Sequence, residues 1–331
     1  MATSLVTGAT GFVGSHLIRR LAADGQQVNA LTREASDAPH IQGVHWHRGD
    51  ITDKQSITAA LREVSVVYHL AAIVSGKGGH SAQWHVNRDG TRALLQACLE
   101  NGVKRLVFLS SVCAYAPPLK TLIDEDCPLG GDDSYGQSKA AAELEITRGA
   151  PSDFCYVILR PCQVYGPGDR SGFTGLITSM LNSNYVFTAG HTPRYFSLVY
   201  IDDLVEAIIR AGKANISGSC TANITGPSLA SLQTIVSASA KIKAHVPTLV
   251  AIPAPVIRFA QELRWLSRSL GTAGMRPHWK SYSQDHVYGS LLLGGPEYSL
   301  QRARSELGFE PATSIDDGLA KILLWGITPG A

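Results

Sequence analysis

Thr7-Gly8-Ala9-Thr10-Gly11-Phe12-Val13-Gly14 follows directly on the apolar run Ser4-Leu5-Val6 and leads into an amphipathic stretch reaching Asp24. A short apolar strand, a turn carrying three glycines and then a helix form the first half of a βαβ unit. Glycine lets a backbone turn sharply or approach a bound group closely. At the positive end of a helix, the N–H groups of such a turn suit a pyrophosphate. The spacing is GxxGxxG, not the GxGxxG of the commonest dinucleotide fingerprint, and a tight strand-to-helix turn also favours glycine. Placement on the first βα turn is what points to a dinucleotide. Gly8, Thr10, Gly11, Phe12, Val13 and Gly14 are the candidate contacts.

Outward from this turn, short apolar runs alternate with helical patterns. Strands are expected over 28–32, 44–48, 65–70, 105–109 and 155–160, with helices over 55–63, 84–101 and 134–148. Gly102 is a good stop for the second of these helices. The pattern predicts an α/β fold, a doubly wound parallel sheet with ligands gathered at the carboxyl ends of its strands. After Pro161 the regularity fades, apart from a return strand over 196–200 and a helix over 203–211. From about Leu229 the pattern is helical with proline breaks, including one amphipathic helix over 255–270. The expected division is a dinucleotide-binding domain of 1–165 with 196–224, and a smaller, mostly helical C-terminal substrate lobe of 166–195 with 225–331.

Bulk properties narrow the partners. A net charge of +2 over 331 residues, without a clustered basic face, argues against nucleic acid. Six cysteines without CxxC spacing read as free thiols in a reducing compartment. The first residues enter a strand without a basic leader, so a cytoplasmic protein is expected. The apolar run 246–257 holds three prolines and is too short for a membrane span. No metal-ligating cluster is expected.

Several positions at strand ends carry chemistry. The second strand ends Leu31-Thr32-Arg33, with no carboxylate until Glu34. An acid there would bind a ribose 2′-hydroxyl, whereas Arg33 could pair with a 2′-phosphate. NADP(H) is therefore expected over NAD(H), although a solvated loop arginine would look the same. Asp50 and Ile51 follow the third strand, where an adenine would lie; a turn aspartate is the competing reading. Leu70, Ala71 and Ala72 close the fourth strand with small residues, leaving room for ribose or pyrophosphate as readily as for core packing. Tyr135 and Lys139 stand four apart at the start of a helix, hence on one face. A free tyrosine titrates near ~10, too high for efficient proton transfer at neutral pH, and a neighbouring ammonium would lower it. Ser110-Ser111 ends the preceding strand at the same edge, where a hydroxyl could hold a substrate oxygen.

With these motifs in place, the chain resembles the extended short-chain dehydrogenase/reductases, which include NDP-sugar epimerases, dihydroflavonol reductases and 3β-hydroxysteroid dehydrogenases. The likeness rests on TGATGFVG (7–14), GD (49–50), HLAA (69–72), VNRDGT (86–91) and SSVCAY (110–115). It continues through YGQSK (135–139), LRPCQVYGPGD (159–169), VYIDDL (199–204) and LGFEP (307–311). The resemblance implies a Rossmann fold and a catalytic set of Ser111, Tyr135 and Lys139. It also implies that Asn87 organises a proton relay and that Pro161 to Val164 lie beside the nicotinamide. Cys113 and Gln163 are further candidates to touch substrate. Dehydratases of the superfamily carry an Asp-Glu pair where this chain has Val112-Cys113, which argues against water elimination. Epimerases show an acid after the second strand and an arginine late in the chain; here the late segment reads Glu297-Tyr298-Ser299-Leu300, and Arg194 keeps that alternative open.

Leu249, Val250, Ile252, Val256, Ile257, Phe259, Leu263, Trp265 and Leu266 make the C-terminal lobe apolar, as either a lipophilic substrate site or simply its core. The resulting expectation is an NADPH-dependent enzyme interconverting a ketone or aldehyde and an alcohol on a lipophilic or aromatic substrate. An NDP-sugar epimerase or reductase is the alternative, and a non-catalytic NADP(H) sensor a more distant one. Helices 84–101 and 134–148 resemble those that pair in dimeric family members, implying a homodimer.

Overall fold

The computed structural model describes residues 3–35, 38–75, 77–117, 121–169, 173–216, 218–242, 246–253 and 294–325. In chain order it begins β1 (Thr3–Thr7), α1 (Phe12–Ala23), β2 (Gln27–Thr32), β3 (Val44–Arg48), α2 (Lys54–Ala60), β4 (Val64–His69) and α3 (Gly79–Gln83). A π-helical turn (Trp84–Asp89), α4 (Gly90–Glu100), β5 (Arg105–Leu109), a 3-10 turn (Val112–Ala114), β6 (Leu122–Ile123) and α5 (Ser134–Gly149) follow. Next come β7 (Cys155–Pro161), β8 (Gln163–Tyr165), α6 (Phe173–Leu181), β9 (Tyr185–Ala189), β10 (Phe196–Tyr200), α7 (Ile201–Lys213) and β11 (Cys220–Ile224). The remaining elements are β12 (Leu229–Ala230), α8 (Leu232–Ser239), β13 (Thr248–Ile252), β14 (Glu297–Tyr298), α9 (Gln301–Leu307) and α10 (Ile315–Trp325).

Seven strands form one parallel sheet in the order β11-β7-β5-β4-β1-β2-β3. The order reverses between β1 and β4, so their carboxyl ends flank the crevice where ligands of such sheets collect. Leu5, Val6, Val67, Leu106, Val107, Val157 and Ile158 are fully buried, as expected of strands covered on both faces. Ile57, Leu94, Leu95, Ala142 and Ile146 from α2, α4 and α5 pack with Phe108 and Ile158 in one cluster. A separate pair, α1 and α7, packs together, and α7 also crosses β4, β5 and β7. Helix ends follow the local chemistry: Asp53 accepts from Gln55 N and Ser56 N at the start of α2, and Gly102 (φ +69°) follows the end of α4.

The helix expected over 84–101 is interrupted. Its first turn is π-helical, at the point where Thr91 Oγ1 donates 2.5 Å to Asn87 O and competes with the main-chain ladder.

The chain divides into two compact units: 1–164 with 199–226 and 298–312, and 165–198 with 227–297 and 313–331. The segment 298–312, expected in the substrate lobe, belongs to the first unit. Ser299 N donates to Ile123 O, Arg210 Nη1 to Gly308 O, and Phe309 is buried. Its LGFEP sequence carries one buried aromatic whose destination no local periodicity reveals. Within the second unit, α8 packs on α10, Phe173 meets Phe196 edge-on at 6.0 Å, and β9 pairs with β13 in parallel. That parallel pair was not expected from a mostly helical pattern. The expected helix over 255–270, with Val256, Ile257, Phe259, Leu263, Trp265 and Leu266, lies outside the described residues. Among the described residues no helix is long and apolar enough to cross a membrane.

Candidate active site

The glycine turn is built by close backbone approaches. Gly8 adopts φ +68°, and a Cβ there would lie 2.7 Å from Ala71 N; one on Gly14 would lie 2.1 Å from Gly8 O. Only glycine fits either position. Gly11 N donates to Gly8 O at 3.0 Å, and Gly11 then caps α1 without a side-chain acceptor for the first-turn N–H groups. Phe12 and Val13 occupy that first turn. Free N–H donors at a helix start, backed by a turn too tight for any side chain, fit the pyrophosphate of a dinucleotide. Thr10 is exposed on the turn.

Around this turn the other predicted contacts fall at neighbouring strand ends. Arg33 is exposed just past β2. Asp50 Oδ1 accepts from Thr52 N at 2.9 Å and Thr52 Oγ1 at 2.8 Å, so the carboxylate is partly engaged in its own turn. Burial acts to raise the Asp50 carboxyl, but the Thr52 hydrogen bonds, with help from the nearby Arg33 and His85 charges, hold it below the usual range. Ile51 is buried in the core against Gly90 rather than lying open beside the turn. Leu70, Ala71 and Ala72 are half-buried beyond β4, and Ala71 N donates to Thr7 Oγ1 at 3.2 Å. Pro161 ends β7 buried, and Val164 is half-buried in β8.

The start of α5 is pressed against the turn after β5. Asp133 caps the helix, accepting from Gly136 N at 2.7 Å and from Ser75 Oγ at 2.7 Å. A Cβ on Gly136 would lie 2.1 Å from Cys113 O, so glycine sets the closeness of helix and turn. This brings the half-buried Tyr135 near Ser111, whose Oγ accepts from Cys113 N at 3.1 Å. Burial pushes the Tyr135 phenol above its ordinary value, the charges of Cys113 and Asp133 add to this, and the neighbouring Ser111 hydroxyl opposes it. The expectation that Lys139 acidifies Tyr135 is not met in these positions. Lys139 Nζ instead donates 2.5 Å to Leu109 O and sits 4.3 Å above the Phe108 ring. Burial lowers Lys139 to about 7, with Glu143 acting in the other direction.

Asn87 is buried and fully employed: Nδ2 donates to Ser138 Oγ at 2.9 Å and Ile73 O at 3.0 Å, and Oδ1 accepts from Ile73 N at 2.8 Å. Ser138 Oγ in turn donates to Tyr135 O at 2.8 Å. Asn87 thus ties the loop after β4 to α5.

Two buried polar groups were missed in the sequence. The first centres on His69, 2.8 Å from Thr7 Oγ1 through Nδ1 and 2.8 Å from Thr91 Oγ1 through Nε2. Because Thr91 donates to Asn87 O, its oxygen must accept from Nε2–H, so Nδ1 accepts from Thr7. That fixes one neutral tautomer, and burial with the Lys139 charge lowers His69 to about 3. The second centres on Arg160, which donates to both Glu143 oxygens at 2.6–3.1 Å, to Tyr115 OH at 3.0 Å and to Glu125 O at 3.0 Å. Ser110 Oγ donates to Glu143, and Tyr115 OH donates to Asn223 Oδ1 at 2.7 Å. Ser110 is thereby committed to structure, whereas Ser111 faces Tyr135. The Lys139–Glu143 spacing of four was the one available sequence signal for this group.

Taken together, a parallel sheet with a glycine turn at its switch point defines a Rossmann-type protein. The sequence profile of the NAD dependent epimerase/dehydratase family matches residues 4–224, and the chain belongs to that family, within the extended short-chain dehydrogenase/reductases. It is 29% identical over 330 residues to a "Sterol demethylase protein B" of Methylococcus capsulatus, covering 98% of each chain. It is 28% identical to a "2-alkyl-3-oxoalkanoate reductase" of Stenotrophomonas maltophilia, over 96% of this chain and 97% of that one. Among solved structures, MoeE5 in complex with UDP-glucuronic acid and NAD superposes with a TM-score of 0.75 at 25% identity, covering 98% of this chain and 99% of the other. Membership of this family makes the chain an enzyme of the nicotinamide-dependent oxidoreductase and epimerase group.

Proposed function

We propose that the chain is an NADP(H)-dependent oxidoreductase interconverting a ketone and an alcohol on a lipophilic substrate. The observation that carries this reading is that the helix start bearing Tyr135 is pressed against the turn bearing Ser111, at the same carboxyl edge of the parallel sheet as the glycine turn and within a single unit. A nicotinamide dinucleotide bound at the turn supplies the hydride donor or acceptor. Gly8, Gly11 and Gly14 would admit its pyrophosphate, and the Phe12 and Val13 N–H groups would hold it. Thr10, Leu70, Ala71, Ala72, Pro161 and Val164 would border it, while Arg33 would pair with a 2′-phosphate and Asp50 would face the adenine. Ile51, being buried, would support that face from behind.

Ser111 would hold the substrate oxygen by a hydrogen bond. Tyr135, whose phenol keeps its proton at neutral pH, would deliver that proton to the oxygen as the carbonyl carbon gains hydride, and would take it back in the reverse direction. Lys139 would orient the ribose, and Asn87 would hold the helix carrying both.

The relative named as a 3-oxoalkanoate reductase suggests a lipophilic 3-oxo acid, or its 3-hydroxy counterpart, as the first substrate class to try. The likeness to MoeE5 favours, as a second reading, action on a nucleotide sugar. A homodimer through α4 and α5 belongs to the same proposal, since Leu144 is 41% exposed there beside a groove lined by Leu95, Leu99 and Arg148. The test is turnover of purified protein with NADPH or NADH against 3-oxo acids, simple ketones and UDP-sugars, followed by reduced-nicotinamide absorbance. Tyr135→Phe should abolish turnover and leave dinucleotide affinity within about twofold. Equal turnover in that variant refutes the chemistry, and activity confined to UDP-sugars selects the second reading.

A further inference from the structure

Burial opposes the charge of Lys139, while the ring face and main-chain oxygen that contact it favour that charge. It is buried, lies above the Phe108 ring, and finds its hydrogen-bond acceptor in the main-chain oxygen of Leu109. One turn further along α5 stands Glu143, 1% exposed. Its carboxylate cannot swing away: Arg160 grips both oxygens and Ser110 Oγ donates to one of them. Arg160 is itself fixed by Tyr115 OH and Glu125 O. A carboxylate locked this firmly at i+4 is a fixed negative charge on the face of the helix that carries Lys139.

We propose that Glu143 is a positioning residue for the reaction: clamped by Arg160 and Ser110, it is the counter-charge that keeps Lys139 an ammonium within the apolar wall of the site. This inference rests on the oxidoreductase reading for its consequence in turnover, but the electrostatic coupling itself does not. The other ionisable groups around Lys139 do not substitute for Glu143. His69, across from it on β4, is a neutral imidazole, and Tyr135 on the same helix holds its proton. Arg160 on β7 is a cation that opposes the ammonium, and its guanidinium is held 2.6 Å from Glu143 Oε2. Coulombic coupling to Glu143 is the opposing influence that limits how far burial drives Lys139 down.

The test reads the lysine directly. Protein labelled with carbon-13 at the lysine ε-carbons is titrated by NMR, with the Lys139 signal assigned from Lys139→Met. In Glu143→Gln the Lys139 midpoint should fall by at least one pH unit, so that at the wild-type midpoint the ammonium population drops about fivefold or more. In turnover, the alkaline limb of the kcat/KM profile should move to lower pH by the same amount. Because Glu143→Gln leaves Arg160 as a buried unpaired cation, Glu143→Gln/Arg160→Met is measured alongside. This pair removes both charges and should still lower the midpoint, by less than the single variant does. An unchanged Lys139 midpoint in the double variant overturns the proposal and leaves Glu143 a structural partner of Arg160 alone. A shifted midpoint in a protein that turns over no carbonyl compound would instead uphold the coupling and overturn the oxidoreductase reading.

Discussion

Replacing His69 by glutamine should flatten the acid side of the protein's stability profile. In the fold, His69 is wholly buried between two threonine hydroxyls and stays neutral down to about pH 3, against an ordinary value of 6.5. An unfolded chain protonates the same side chain near 6.5. Between those values the unfolded state binds a proton that the native state refuses, so stability falls as pH drops from 6.5 towards 3. The limiting slope is ~1.4 kcal/mol per pH unit, which makes the loss at pH 5 roughly 2 kcal/mol from this residue alone. Glutamine keeps a donor and an acceptor but does not titrate, so His69→Gln should lose about 2 kcal/mol less than wild type between pH 7.5 and pH 5. Urea unfolding followed by circular dichroism at the two pH values measures the difference. If wild type and variant lose equal stability over that interval, the buried neutral imidazole is not what limits acid tolerance, and the tautomer deduced from the threonine network is wrong.

Gly136→Ala places a methyl group against Cys113 O and should destabilise the protein by about 2 kcal/mol or more, seen as a lower thermal midpoint. The same change should lower kcat by separating Tyr135 from Ser111, so a variant of wild-type kcat would argue against a tight helix–turn contact. Arg33→Ala should weaken NADPH about tenfold and leave NADH nearly unchanged, measured by titrating the bound nucleotide's fluorescence. Equal losses for both coenzymes would remove Arg33 from phosphate recognition.

The sheet was legible because its strands are buried on both faces. Continuous apolar runs such as Leu106-Val107-Phe108 and Val157-Ile158-Leu159 leave no other home than a covered parallel sheet. The glycine turn was legible in outline, since three glycines after the first strand need a reason. What each glycine faces was not: Gly8 abuts Ala71 N and Gly136 abuts Cys113 O, and in both cases the neighbour is a backbone atom 63 or 23 residues away in the chain. Ile51 follows a strand end where an adenine could be flanked, and its packing against Gly90 of α4 was equally hidden in the sequence. The buried polar groups were hidden for a related reason. Arg160 and Glu143 look like ordinary solvated charges, and only tertiary packing shows that each is the other's solvent.

The two hidden networks differ in kind, and the difference bears on how the site holds its shape. Around His69 every hydrogen has one place to go: Ala71 N to Thr7, Thr7 to His69, His69 to Thr91, Thr91 to Asn87 O. Asn87 continues the path through its side chain to Ser138, and Ser138 to Tyr135 O. A neutral relay with a single direction can span from the glycine turn to α5 without an unsatisfied member, and it carries no charge for a bound dinucleotide to disturb. Around Arg160 the members are charged, and Glu143, one turn along α5 from Lys139, is the carboxylate they hold in place. The first network fixes where Tyr135 stands; the second decides whether the lysine beside it bears a proton. Geometry and charge at the same helix are therefore set from opposite sides of β5 by groups that share no hydrogen bond, so each can be altered without rewiring the other.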